Sequence, residues 1–262
     1  MIRTLEYIDC KDFDYKTKMQ NKYCVVKYVF NYTTNPNDKR LIDEIIEKGA
    51  AMARKVNPGF ANNGTNLRDY DRIVNNCVAG ILSEFLWKDY LNHEIQIVEE
   101  TDFQSSLNQI DLQIISNKKK LEVRSSFPRN GIKFALCSGS FEFDIIGMYS
   151  NSYKLSEIEK DYYLRSLFHL AIERYWIKDQ NTKIPIIEKL IDKIKKDNFE
   201  GYLTGGATWK MMLDKEISFE KKLIPDDVLN INKLKSETKY RVIPFSKSLD
   251  SESIYNMIKL EK

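Results

Sequence analysis

Asp111 and Glu122 frame a stretch that reads as strand, basic tip and strand. It runs Asn108-Gln109-Ile110-Asp111-Leu112-Gln113-Ile114-Ile115, then Ser116-Asn117-Lys118-Lys119-Lys120, then Leu121-Glu122-Val123-Arg124-Ser125-Ser126. With a side-chain period of two, Ile110, Leu112 and Ile114 share one face, and Leu121 and Val123 continue it on the second strand. Asp111, Gln113, Glu122 and Arg124 then share the opposite face. Two carboxylates and a cation over paired strands are the parts of a divalent-metal phosphodiesterase. Mg²⁺ takes one or two carboxylates and fills its shell with waters and phosphate oxygens. The ion lowers the pKa of a bound water and neutralises the attacked phosphate, while a guanidinium can grip that phosphate through two parallel hydrogen bonds. The plain structural reading is the wet face of a half-buried hairpin, its cross-strand charge pairs worth about 0.2–1 kcal/mol.

The preceding helix, expected over 67–91, adds a third acid. At 100° per residue Ile73, Cys77, Gly80, Trp87 and Leu91 fall on one side, and Glu84 falls among them. An unpaired carboxylate in an apolar stripe is costly. Gly80, one turn earlier, leaves room for a backbone or ligand. The alternative is an ordinary i,i+4 pair between Glu84 and Lys88.

Asp111, ten intervening residues and Glu122-Val123-Arg124, with Glu84 on a helix before them, resembles the PD-(D/E)xK nuclease superfamily, the fold of many type II restriction endonucleases. Gln109-Ile110-Asp111 and Leu121-Glu122-Val123 are similar to that family's "QID…(I/V)EVK" form. The resemblance implies an α-β-β-β-α-β core, Mg²⁺ dependence and hydrolysis of phosphodiester bonds in double-stranded DNA. By matching position it makes Asp111, Glu122 and the Val123 carbonyl the metal ligands and Glu84 the auxiliary acid. It also implies a homodimer and a DNA methyltransferase encoded nearby. One position departs: Arg124 stands where the family has lysine. A lysine can give up its proton to help activate water, whereas a guanidinium only binds and stabilises. Lys133, on an expected strand over 132–137, is a candidate to take that role. Arg124 in place of lysine also leaves open a catalytically silent DNA-binding or interaction module, and a repair, branched-DNA or RNA nuclease of the same fold is a further reading.

Arg129 and Asn130, in the turn Phe127-Pro128-Arg129-Asn130-Gly131, have the chemistry to contact phosphates or base edges. Lys154, in the polar and aromatic segment Tyr149-Ser150-Asn151-Ser152-Tyr153-Lys154, and Arg165 are further DNA-contact candidates. A turn of Pro, Asn and Gly needs no function to explain it, and sheet packing accounts equally for the tyrosines near Arg165. Lys118-Lys119-Lys120 reads as a solvated tip. Gly205-Gly206-Ala207-Thr208-Trp209-Lys210 lacks the phosphate-loop spacing and reads as a tight turn.

The elements that must position these residues form an α/β pattern. Strands are expected over 23–31, 95–99, 107–115, 121–127, 132–137, 141–148, 161–170 and 240–245. Helices are expected over 39–55, 67–91, 185–196 and 251–260, the third with Pro185 in its first turn. Helix, strand cluster and alternating elements suggest one domain over 1–262, with a central mixed sheet flanked by helices.

Composition narrows the classes. Hydrophobic residues are 42% and charged residues 30% of the 262, as in globular proteins. No apolar run nears the ~20 residues that span a bilayer, and the N-terminus lacks a signal-peptide layout, so the expectation is a cytoplasmic protein with no membrane partner. The 41 basic and 38 acidic residues leave a net charge of +3, too small for a non-specific nucleic-acid coat. Cys10, Cys24, Cys77 and Cys137 are irregularly spaced, and with only two histidines they suit no zinc site. Four free, largely buried thiols are expected.

Overall fold

The computed structural model describes residues 1–11, 22–56, 70–101, 109–128, 131–137, 144–150, 159–170, 172–177, 182–187, 189–222 and 239–262. Its elements run β1 (Ile2–Asp9), β2 (Lys22–Asn31), α1 (Pro36–Ala53), α2 (Tyr70–Leu91), β3 (Val98–Glu100), β4 (Leu112–Ile114), β5 (Lys120–Ser126), α3 (Ile132–Cys137) and β6 (Ile145–Ser150). There follow β7 (Tyr162–Phe168), β8 (Ile172–Ile177), β9 (Thr182–Ile187), α4 (Leu190–Ile194), β10 (Asp197–Thr208), α5 (Trp209–Leu213), β11 (Phe219–Lys222), β12 (Lys239–Ile243) and α6 (Ser251–Lys259).

Seven strands form a mixed sheet in the order β1-β2-β10-β7-β5-β4-β3. β3, β4 and β5 are an antiparallel meander, and β5 then lies parallel to β7. A parallel neighbour needs a crossover, and here α3 and β6 lie within it. The two faces carry separate cores. On one, α1, α2, α4 and α6 pack Ile42, Val78, Leu82, Leu86, Ile194 and Ile254 against Val26, Leu112, Leu121, Val123 and Leu164. Each such side chain contributes about 1.5–3 kcal/mol by leaving water. On the other, Ile132, Leu136 and Met212 cover Val25, Tyr163, Leu167 and Tyr202.

α1 begins at Pro36, ahead of the expected start at residue 39, because the Asn35 side chain accepts from the Asn37 and Asp38 backbone N–H groups and Pro36 opens the first turn. Asp38 is buried beneath the Met1 ammonium and accepts from the Asn31 N–H at 2.9 Å. That contact ties the start of the chain to the start of the helix.

Three expectations are corrected. Residues 132–137 are a helix: Gly131, at φ 85°, turns the chain, and its carbonyl accepts from the Ala135 N–H at 3.1 Å. The apolar positions Ile132, Ala135 and Leu136 then fall at helical spacing and are buried. The helix expected from Pro185 shrinks to Leu190–Ile194, with Leu190 and Ile194 buried. The β-branched run before it, with Ile184, Ile186 and Ile187, pairs as β9 with β8. Finally Cys10 and Cys137 form a disulfide, a bond that a reducing cytoplasm disfavours, while Cys24 and Cys77 are in no disulfide. No helix is long and apolar enough to cross a membrane among the described residues.

Candidate active site

The hairpin register brings the two acids together. Leu112 faces Leu121 across β4 and β5, so one step earlier Asp111 lies across from Glu122, on the face opposite the leucines. Just ahead of β4 the Asp111 N–H donates to the Leu121 carbonyl at 3.3 Å, which holds Asp111 against β5. Asp111 is 7% exposed, and its Oδ2 accepts from the Val123 N–H at 2.7 Å. Burial and the neighbouring Glu122 carboxylate push its pKa up to about 7, although that hydrogen bond and the charges of Arg124 and Lys160 pull the other way.

Glu122 is held by two cations. The Arg124 guanidinium, two residues along the same strand face, lies 2.8 Å from Oε1. The Lys160 ammonium lies 3.5 Å from Oε2 and also donates to the Gln109 carbonyl. Lys160 is 3% exposed. Its position follows from the parallel pairing: Asp161 donates its N–H to the Lys120 carbonyl at 2.8 Å and accepts the Lys120 N–H at 2.8 Å, locking β7 beside β5. That lock sets the residue just before Asp161 at the mouth of the acid pair. Sequence reasoning missed Lys160, whose sole local signal is that it is a lysine directly ahead of a strand.

Glu84 lies on α2 at the margin of the buried face, with Val78, Leu82 and Leu86 fully enclosed beside it. Burial, then the charges of Asp111, Glu100 and Glu122, raise its pKa well above the usual carboxylate range. It therefore sits within the field of the hairpin acids. It also lines a cavity of about 1140 Å³ between α1 and α2, with Leu41, Lys48, Ile81 and Lys88. Lys88 pairs with Glu100 at 3.0 Å instead of with Glu84. A Cβ at Gly80 would meet nothing within 4 Å, so that glycine accommodates no close neighbour among the described residues.

The remaining candidates disperse. Lys133 lies on the exposed side of α3, because 132–137 is a helix and not the expected strand; the lysine on Glu122 is Lys160. Arg165 is 1% exposed, its guanidinium donating to the Ser125 carbonyl at 3.4 Å and to Ser126 Oγ at 2.5 Å. So enclosed, it braces β7 against β5 and does not face a DNA backbone. Arg129, Asn130 and Lys154 lie outside the described residues. The basic tip is tied down: Lys118 pairs with Glu99 at 3.0 Å and Lys119 with Glu261 at 2.6 Å.

Among the described residues no trio of His, Cys, Asp and Glu is gathered closely enough to enclose an ion. An ion here would take a carboxylate pair and complete its shell with waters and substrate oxygens, which is the habit of Mg²⁺. The donor set of Asp111, Glu122 and a backbone carbonyl is all hard oxygen and fits that ion. Burial first, and then repulsion from neighbouring carboxylates, raises the pKa of Asp111 and Glu84, and a divalent charge would relieve the repulsion.

No family model matches the chain, and no solved structure matches it. The chain is similar to an uncharacterized protein, MJECS01, of Methanocaldococcus jannaschii, with 26% identity over 218 residues, covering 72% of this chain and 73% of that protein.

Proposed function

We propose that the chain is a Mg²⁺-dependent endonuclease that hydrolyses phosphodiester bonds in double-stranded DNA, on a restriction-endonuclease-like core and in the manner of a type II restriction enzyme. One observation carries the reading: Asp111, at the entry to β4, lies beside Glu122 on β5, and a buried lysine from beside β7 reaches Glu122. The element order α2, β3, β4, β5, α3, β7 supports the α-β-β-β-α-β core, with β6 as an insertion.

Asp111, Glu122 and the Val123 carbonyl would hold the ion. Bound there, Mg²⁺ supplies an acidified water and charge neutralisation at the phosphate. Lys160, unlike Arg124, can exchange a proton and is placed to steer it beside Glu122. Arg124 offers the planar guanidinium that grips phosphate oxygens. Glu84 adds a third carboxylate to the field. A homodimer would present two such sites to a symmetric duplex, and a DNA methyltransferase would be its protective partner.

The engagement of both Glu122 oxygens by Arg124 and Lys160 favours a second reading, a silent DNA-binding module whose acid is neutralised internally. Methylated and unmethylated plasmid and phage DNA, incubated with and without Mg²⁺ and EDTA, separate the two. Discrete fragments are expected that vanish in EDTA and fall by ~100-fold or more in Asp111→Asn, Glu122→Gln and Lys160→Met. Folded protein that is inert on the whole panel would sink the nuclease reading. Nicks or a smear would redirect it to repair or branched-DNA substrates, and cleavage of RNA alone to an RNA nuclease.

A further inference from the structure

β1 is the outermost strand of the seven-stranded sheet. All eight of its residues pair with β2 without a bulge, so its outer row of N–H and C=O groups is unbroken. Among the described residues no strand pairs with that row. Proteins usually blunt such an edge with lysine, proline or a bulge. β1 reads Ile2-Arg3-Thr4-Leu5-Glu6-Tyr7-Ile8-Asp9 and has no lysine, proline or bulge, its charges being Arg3, Glu6 and Asp9. It exposes 57% of Ile2, 46% of Leu5 and 55% of Tyr7.

Hydrogen-bond parity restricts what fits the edge. Along a strand the N–H and C=O of one residue point to the same side, so the outward row belongs to alternate residues. A second copy related by a two-fold axis must match outward residues to outward residues. The axis therefore passes through a residue and never between two. Centred on Glu6, the pairing sets carboxylate against carboxylate; centred on Thr4, it sets Ile2 against Glu6. Centred on Leu5, it sets Leu5 against its counterpart, Ile2 against Ile8, Arg3 against Tyr7 and Thr4 against Glu6. That register opposes no like charges and places Arg3, whose guanidinium bonds Asp89 at 2.9 Å, diagonal to Asp9 and across from Tyr7. It also covers each of the three exposed apolar side chains of the strand.

We propose that β1 is a self-pairing edge. Two copies of the chain associate by antiparallel addition of β1 to β1, centred on Leu5, joining the two sheets into one. The inference stands apart from the nuclease reading, because assembly is measured without activity.

Light scattering on the full chain at increasing concentration is expected to give a dimer mass. Leu5→Lys places two ammonium groups on the axis and is expected to weaken dimerisation by ~100-fold or more, with unchanged circular dichroism because Leu5 is exposed. Independently, Leu5→Cys is expected to cross-link to itself on mild oxidation, since facing Cα atoms at about 4.5–5.5 Å suit a disulfide. Thr4→Cys, Glu6→Cys and the unmodified chain are expected not to cross-link through this edge. A monomeric wild type, a Leu5→Lys variant that dimerises as wild type, or a Leu5→Cys variant that stays unlinked would each overturn the proposal.

Discussion

Asp144 illustrates at a single residue how burial tunes a carboxyl outside the acid pair. It is 4% exposed, and burial pushes its pKa up to about 6 even though Lys221 lies 3.3 Å away and Arg165 is near. A carboxyl raised in the folded state keeps a proton that the unfolded chain has already lost. Its contribution is therefore fully present below about pH 4 and is lost as pH rises to about 6. Asp144→Asn is expected to gain on wild type across that window by up to about 3 kcal/mol. Urea denaturation of both proteins from about pH 4 to about pH 7 reads the difference; a constant offset would contradict it. The same scale shows what the sequence discloses. Asp111 and Glu122 are legible because a hairpin is local and its period of two puts them on one face. Lys160 is not, because a parallel pairing to a distant strand decides its place. Arg165 misleads for the opposite reason: a cation in a strand looks available until the layers above the sheet enclose it.

At the scale of elements, β10, third in the sheet between β2 and β7, departs most from a simple pattern. Tyr202 to Gly206 reads as a strand meeting a turn, yet the strand continues to Thr208. Its register with β7 slips between Leu203 and Gly206, with Gly205 at φ 93°. The slip turns Gly206 to exchange two hydrogen bonds with Leu249, at 2.8 and 2.9 Å, which docks the approach to α6. A Cβ at Gly205 would lie 2.0 Å from the Leu249 carbonyl oxygen. Gly205→Ala is expected to cost about 2–4 kcal/mol, measured as a lower denaturation midpoint with unchanged slope. A loss under about 1 kcal/mol would show that the bridge yields. The two glycines signal special backbone, but a bulge and a turn ask for the same residue. Residues 132–137 misread for a related reason: six residues are too few for period alone to separate strand from helix, and the outcome rests on Gly131.

Across the whole molecule, the Cys10–Cys137 bridge closes a span of 127 residues, from the end of β1 to the end of α3. Cross-linking so long a span restricts the unfolded chain, and reduction is expected to cost about 2–4 kcal/mol. Thermal melts with and without reductant test this; Cys10→Ser is expected to match the reduced wild type and to be indifferent to reductant. A melt insensitive to reductant would remove the bridge from the fold's support. The sheet order carries one more consequence, in time. The β1–β2 hairpin and the β3–β4–β5 meander are each local and can form as soon as they are made. No strand pairing joins them until β7 and β10 enter between them, and β10 is the last of the seven strands to be synthesised. A chain growing from its N-terminus thus carries Asp111, Glu122 and Arg124 before Lys160, which arrives with β7. The carboxylates are therefore made before the amine that reaches Glu122, and the pairing of β7 with β5 brings them together.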